Sequence, residues 1–173
     1  MKTYEGNLAL KIQKDIQHGL YAGKYRRIFG RHYPPMRMKK SGRIEGITII
    51  NDSGATCLDA TYFSLRKIPQ NLTWIVWNEN PAVAFDRWDR SLLTHVRRII
   101  AVGKSYEKLR LVFGDTAEVY PARTPDSALK KAVRITRPGE KILISHATPF
   151  PGDIPAEKVF DIFEKLIKKT TAG

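Results

Sequence analysis

The first apolar rhythm in the chain is helical. Leu8, Ile12, Ile16 and Leu20 recur every four residues and, with Ala9, make one stripe over about four turns. Gly19 and Gly23 weaken its end, and Pro34 and Pro35 forbid its continuation. Beyond the prolines the period shortens. Residues 36–45 and 46–50 read as two strands around a Glu45-Gly46 turn in which glycine supplies a positive φ. Apolar runs then alternate with helical ones: helix 58–67, stopped by Pro69; strand 72–77; helix 85–94; strand 97–102; helix 104–112; strand 116–120; helix 125–136; strand 141–145; and helix 155–169, with proline in its first turn. Strands separated by helices of this length predict an α/β fold. We expect a Rossmann-like parallel sheet with helices on both faces and right-handed crossovers, preceded by a basic helical extension over residues 1–33. Ligands should meet the loops that follow the strands, residues 51–56, 78–84, 103–105 and 145–153.

One stretch combines the strand signal with chemistry. Residues 47–50 form an apolar strand rich in β-branched side chains, and it stops in Asn51-Asp-Ser-Gly-Ala-Thr56, small polar residues suited to a tight turn and a helix N-cap. A strand that ends in such a turn and opens a helix offers free N–H groups and partial positive charge to an anion.

Charge and cysteine usage narrow the setting. Of the net +13, residues 1–43 hold 11 Lys and Arg against 2 Asp and Glu, and residues 44–173 hold 19 against 15. The excess lies in the first quarter, around an anionic partner or as a solvated basic surface. Tyr25, Phe29 and Tyr33 interleave with basic residues there. They fit aromatic anchors holding an extension to its own domain, or stacking platforms for a single-stranded nucleic acid, although no RNP, KH or helix-turn-helix signature accompanies them. The lone Cys57 forms no intramolecular disulfide and no thiolate metal site by itself, as in a reducing compartment. With no secretory signal and no run of roughly 20 apolar residues, the expected location is cytoplasmic, without a membrane partner.

Three motifs carry residue types suited to catalysis. Val102-Gly-Lys-Ser105 resembles the end of a phosphate-binding loop, but Arg98 occupies the place of its first glycine. Gly19-Leu-Tyr-Ala-Gly-Lys-Tyr25 is one residue short. Ser145-His146 sets a hydroxyl beside an imidazole, yet neighbours on a strand point apart and no nucleophile elbow surrounds them, so Ser145 reads as a turn or cap residue. No metal-ligand spacing occurs. The chain therefore predicts no P-loop, no catalytic residue and no metal site of its own.

With the hairpin and the Asn51-Asp-Ser-Gly-Ala-Thr56 box in place, residues 34–169 resemble the C-terminal domain of the Mur ligase family, most nearly its D-glutamate-adding members. The likeness runs through Pro34-Pro-Met-Arg37, Asp59-Ala60-Thr61, Leu65-Arg-Lys-Ile-Pro69, Val102-Gly103, Pro138-Gly139 and Ile142-Leu-Ile-Ser145. It implies that residues 34–173 form a Mur-ligase C-terminal-like domain. In that family the domain closes over a central ATPase domain that activates the UDP-linked muramoyl carboxylate as an acyl phosphate. Carried over residue by residue, Arg37 and Asp52 would contact the nucleotide, and Ser53, Thr56 and Ser145 the substrate.

The departures share a direction. Gly54 stands where the family has a lysine that would pair with the D-glutamate side chain, and Pro81 replaces a second lysine. Each lost charge-assisted contact is worth about 1.5–3 kcal/mol, so recognition of an acidic amino acid should fail. The resemblance thus implies the C-terminal domain of an ATP-dependent peptide ligase of peptidoglycan precursor synthesis, inactive alone or degenerate. ATP and Mg would be held only in a complete ligase, with the ATPase domain in cis or trans and a UDP-linked muramoyl peptide as partners. The alternative is a non-catalytic module that binds a nucleotide, a nucleic acid or a protein through the basic arm. Asp52→Ala should then abolish nucleotide binding and leave the fold intact.

Overall fold

A computed structural model describes residues 36–148 and 154–171. The helix expected over residues 8–20, the basic arm and the end of the 145–153 loop lie outside them.

Six strands form one sheet in the order β1-β2-β6-β3-β4-β5. They are β1 (Lys39–Ile44), β2 (Ile47–Asn51), β3 (Leu72–Asn78), β4 (Val96–Gly103), β5 (Glu118–Ala122) and β6 (Lys141–Ile144). β1 runs antiparallel to β2, and every other pairing is parallel. The β1–β2 turn places both Glu45 (φ 47) and Gly46 (φ 82) in the left-handed region, the geometry of a two-residue hairpin. Among the described residues four helices cover the sheet: α1 (Leu58–Arg66), α2 (Tyr106–Phe113), α3 (Pro125–Ile135) and α4 (Ala156–Thr171).

The alternation of side chains along a strand sorts the core into two layers. Ile50, Trp74, Val76, Ile99, Ala101 and Leu143 face Leu65 of α1, Leu109 and Phe113 of α2, and the aromatic pair Phe85 and Trp88. The intervening Ile49, Ile75, Ile100, Ile142 and Ile144 face Ala128, Leu129 and Ala132 of α3 and Val159, Phe163 and Ile167 of α4. A strand buried on both faces must be apolar throughout, which is why these runs show no polar alternation.

The expected doubly covered sheet is present, with two local corrections. Residues 85–94 are not one helix but two 3₁₀ turns, Phe85–Arg87 and Arg90–Leu93, with Trp88 (ψ 141) and Asp89 (ψ 97) extended between them. The break lets both rings reach the core, with Trp74 5.9 Å from Phe85 and 5.8 Å from Trp88 between centroids. The Asp89 carboxylate then starts the second turn by accepting from the Ser91 N–H at 3.1 Å. The fifth strand begins later than expected because the N–H groups of Thr116 and Ala117 still close a turn on the Phe113 carbonyl. Pro121 is tolerated in β5, which pairs with β4 alone and is an edge strand.

Candidate functional site

The box lies where the sequence places it, beyond the C-terminal end of β2 and beside β6. Asp52 N–H extends the ladder to the Ile144 carbonyl at 2.8 Å, and Ala55 N–H turns the chain back onto the Asp52 carbonyl at 2.9 Å. Asn51, Asp52, Ser53, Ser145 and His146 are each fully buried. Buried polar groups must find partners, and here they find one another.

One network centres on Asp52. Its Oδ1 accepts from Arg37 Nε at 2.7 Å and from the Met38 N–H at 2.8 Å. Ser145 Oγ reaches Oδ2 at 3.3 Å, Thr61 Oγ1 lies 2.7 Å from Ser145 Oγ, and the Ala147 N–H donates to Thr61 Oγ1 at 3.0 Å. Each hydroxyl owns one proton, so a single direction satisfies the chain: Ala147 N–H to Thr61, Thr61 to Ser145, Ser145 to the carboxylate. Arg37 also spends Nη2 on Ser64 Oγ at 3.2 Å and the Ala60 carbonyl at 3.4 Å, while its Nη1 has no acceptor among the described residues.

A second network runs through His146. The Trp77 N–H donates to Nδ1 at 3.1 Å, which leaves the ring proton on Nε2, 3.2 Å from Ser53 Oγ. Ser53 donates in turn to Asn51 Oδ1 at 2.6 Å. Asn51 Nδ2 donates to the Phe160 carbonyl at 3.2 Å and to Glu164 at 3.0 Å, and Lys39 closes the chain on Glu164 at 2.7 Å. Burial pushes the imidazole down to about 3, so it stays neutral. Burial alone would raise the Glu164 carboxyl, but Lys39, Ser41 and Asn51 hold it below its ordinary value. With its proton on Nε2, His146 is a donor to Ser53 and cannot serve as its base. Ser145 points into the other network, as strand alternation requires.

Of the expected site residues, Arg37, Asp52, Ser53 and Ser145 converge on this edge, all engaged within the domain, and Thr56, like Gly54, is a half-exposed member of the box. Gly54 lies under the segment before β1: its N–H donates to the Met36 carbonyl at 3.0 Å. A Cβ there would meet Arg37 Cδ at 3.0 Å and the Met36 oxygen at 3.1 Å. Gly54 is therefore fitted closely to its neighbours. Sequence reasoning did not single out Asn51, Thr61, His146 or Glu164 as partners; Asn51 and Thr61 stood inside the matched motifs, whereas α4's contribution had no local signal.

The fit to a nucleotide divides at this site. Arg37 Nη1 can meet a phosphate oxygen. The Asp52 carboxylate is fully buried and its Oδ1 already accepts twice, so a ribose hydroxyl does not reach it in this arrangement. Among the described residues no group of three His, Cys, Asp or Glu could hold a metal ion, and no helix is long and apolar enough to cross a membrane.

This topology defines a doubly wound α/β domain with its candidate site at the C-terminal edge of the sheet. Among known proteins the chain is similar to UDP-N-acetylmuramoylalanine--D-glutamate ligases. It is 25% identical over 139 residues to that of Nitrosospira multiformis, covering 80% of this chain and 28% of the relative. It is 29% identical over 129 residues to that of Christiangramia forsetii, covering 74% and 27%. The chain is thus related to the Mur ligases and spans about a quarter of the length of the relatives it matches. No family model matches it. A solved domain from a putative UDP-N-acetylmuramate:L-alanyl-gamma-D-glutamyl-medo-diaminopimelate ligase of Haemophilus ducreyi gives a TM-score of 0.44. It is 17% identical, over 78% of this chain and 99% of that one.

Proposed function

We propose that residues 36–171 form the C-terminal domain of a Mur-type acid–amino-acid ligase, a domain that acts only with an ATPase domain in cis or trans. The observation that supports this reading most is the Asn51–Thr56 box at the end of β2, in a stretch related to the D-glutamate ligases. ATP and Mg belong to the complete enzyme, and the UDP-linked muramoyl peptide is the substrate such a partner would present. Within this domain Arg37 would meet a phosphate through Nη1, and Thr56 would offer its hydroxyl to the incoming amino acid. The amino acid would be other than D-glutamate, because Gly54 and Pro81 stand where two lysines would hold the acidic side chain.

The test is reconstitution. The chain is mixed with a D-glutamate ligase truncated before its C-terminal domain, UDP-linked muramoyl-alanine, ATP and a panel of amino acids, and ADP release and ligated product are followed. Product with a neutral amino acid supports the reading. If the mixture stays inactive while the ligase's own C-terminal domain restores activity, the ligase reading falls for this chain. The saturation of Asp52, Ser53 and Ser145 favours a second reading, a scaffold retained for binding without catalysis. Calorimetry with ATP on the mixture of chain and truncated ligase separates the two: the first expects heat beyond that of the truncated ligase alone, which Arg37→Met removes, the second none.

A further inference from the structure

Charge is sorted between the two ends of the sheet. Each helix opens with an acid in its first turn, Asp59, Glu107, Asp126 and Glu157, and closes with a base in its last, Arg66, Arg110, Arg134 and the pair Lys168 and Lys169. Helices that cross back between parallel strands run against them, so the bases gather at the N-terminal edge of the sheet, opposite the Asn51–Thr56 box. α4, which follows β6, brings Ile167 and Thr171 against Gly42, next to Arg43 at the foot of β1. Part of this sorting answers the helix dipoles. The strand starts add bases that no dipole requires: Arg97 and Arg98 on β4, Lys141 on β6 and Arg137 in the turn before it.

Arg97, Arg98 and Arg137 line an open groove at this edge with Asn71, Asp115, Glu118 and Glu140. Its carboxylates are already engaged. Arg98 donates to Glu140 at 2.8 Å, the Arg137 N–H to the same carboxylate at 3.0 Å, Arg90 to Asp115 at 2.8 Å, and the Tyr120 hydroxyl to Glu118. Two of the guanidiniums are not so committed. Arg97 makes one bond, from Nε to Asn71 Oδ1 at 3.3 Å, and its terminal nitrogens have no acceptor among the described residues. The exposed Arg137 side chain has no acceptor among them at all. Along the same edge Arg43, Arg134, Lys141, Lys168 and Lys169 have no ion-pair partner among the described residues, and against them stands the unpaired Glu45 of the hairpin turn.

This surface selects its partner by what it holds and by what it lacks. A guanidinium fork matches two oxygens of a phosphate, and a row of cations answers a repeating negative charge. Six strands about 4.8 Å apart make an edge roughly 24 Å long, along which about seven phosphates of one duplex strand would pass. The exposed large apolar side chains among the described residues, Leu92 and Leu111, do not line the groove. A protein interface is built on aromatic or aliphatic anchors, and a membrane surface takes up an apolar face. A nucleic-acid backbone needs neither.

We propose that the N-terminal edge of the sheet, centred on Arg97 and Arg137, binds the phosphodiester backbone of a nucleic acid without regard to sequence. This surface lies opposite the Asn51–Thr56 box and is independent of the ligase reading. Fluorescence anisotropy of a labelled duplex of roughly 20 base pairs, titrated with the full chain at about 0.05 to 0.2 M salt, tests it. Two duplexes of unrelated sequence should bind alike, at about 1–100 μM near physiological salt, with affinity falling steeply as salt rises. Arg97→Gln combined with Arg137→Gln should lower the slope of log affinity against log salt by about 2 and weaken binding about tenfold or more at low salt. Lys104→Gln combined with Arg123→Gln removes the same charge from exposed positions at the opposite edge and should leave the slope unchanged. The basic residues before position 36 are common to both double variants, so their contribution cancels. Both should keep the parent melting temperature, because none of the four side chains makes an ion pair among the described residues. Equal slopes for the two double variants would overturn the proposal. So would an unbound duplex, whether or not phosphatidylserine vesicles or polyglutamate bind in its place.

Discussion

The two C-terminal edges of the sheet solve the same problem in opposite ways. Beyond β2 and β6, where the sequence motif promised a ligand, the polar groups are saturated: Asp52 accepts from Arg37, Met38 and Ser145, and Ser53 is held between Asn51 and His146. Beyond β4, where the motif failed, four N–H groups at the start of α2 and the buried Ser105 hydroxyl have no partner among the described residues. The residues that look most like ligand contacts in the sequence are thus used to hold the turn, and the unsatisfied groups lie two strands along from β6. A polar residue at a strand end is a candidate for binding only after its internal partners are accounted for.

The comparison breaks most visibly at Asp52. Asp52→Ala leaves Arg37 without its anion and strands the Met38 N–H and the Ser145 hydroxyl, so urea unfolding should show a loss of about 3–5 kcal/mol. The expectation from sequence, an intact fold with lost binding, is replaced by a folding defect. Next in size is the pH response of His146. The unfolded imidazole protonates near its ordinary 6.5, whereas the folded one resists until about 3. Stability is therefore complete above pH 6.5 and lost as pH falls. Between pH 7 and pH 5 the loss should reach about 2 kcal/mol, and His146→Gln should flatten that part of the profile. Gly54→Lys should cost about 1 kcal/mol through crowding against Met36 and Arg37 and should confer no D-glutamate binding. The smallest effect is expected at the other edge, where Ser105→Ala removes a hydroxyl with no partner and should leave stability within about 0.5 kcal/mol of the parent or raise it.

Much of the fold was legible because its signals are local. The segments Ile49-Ile50 and Ile99-Ile-Ala-Val102 are continuously apolar, as strand centres covered on both faces must be, and Pro125 marks the start of α3. Residues 85–94 were misread as one helix because Phe85 and Trp88 answer to Trp74 and Phe113, contacts that no local period records. The box was legible as a strand-to-helix turn, and its placement beside β6 followed from the topology. Its partners were not, because Asn51 meets Glu164 and Ser53 meets His146 across about a hundred residues of chain, and hydrogen-bond satisfaction has no sequence period. The Gly103-Lys104-Ser105 segment was legible as residues, while the missing partner of the Ser105 hydroxyl is a property of the folded chain alone.

The claim beneath these comparisons is that Arg37 and Asp52 are committed to each other. A double-mutant cycle with Arg37→Ala, Asp52→Ala and the pair, followed by urea unfolding at pH 7, measures that commitment directly. The account predicts a coupling of about 3 kcal/mol, because the pair is largely desolvated and shares its hydrogen bonds with Ser64 and Ser145. A coupling below about 0.5 kcal/mol, the range of exposed pairs, would show that the two side chains stand ready for a ligand and would contradict it.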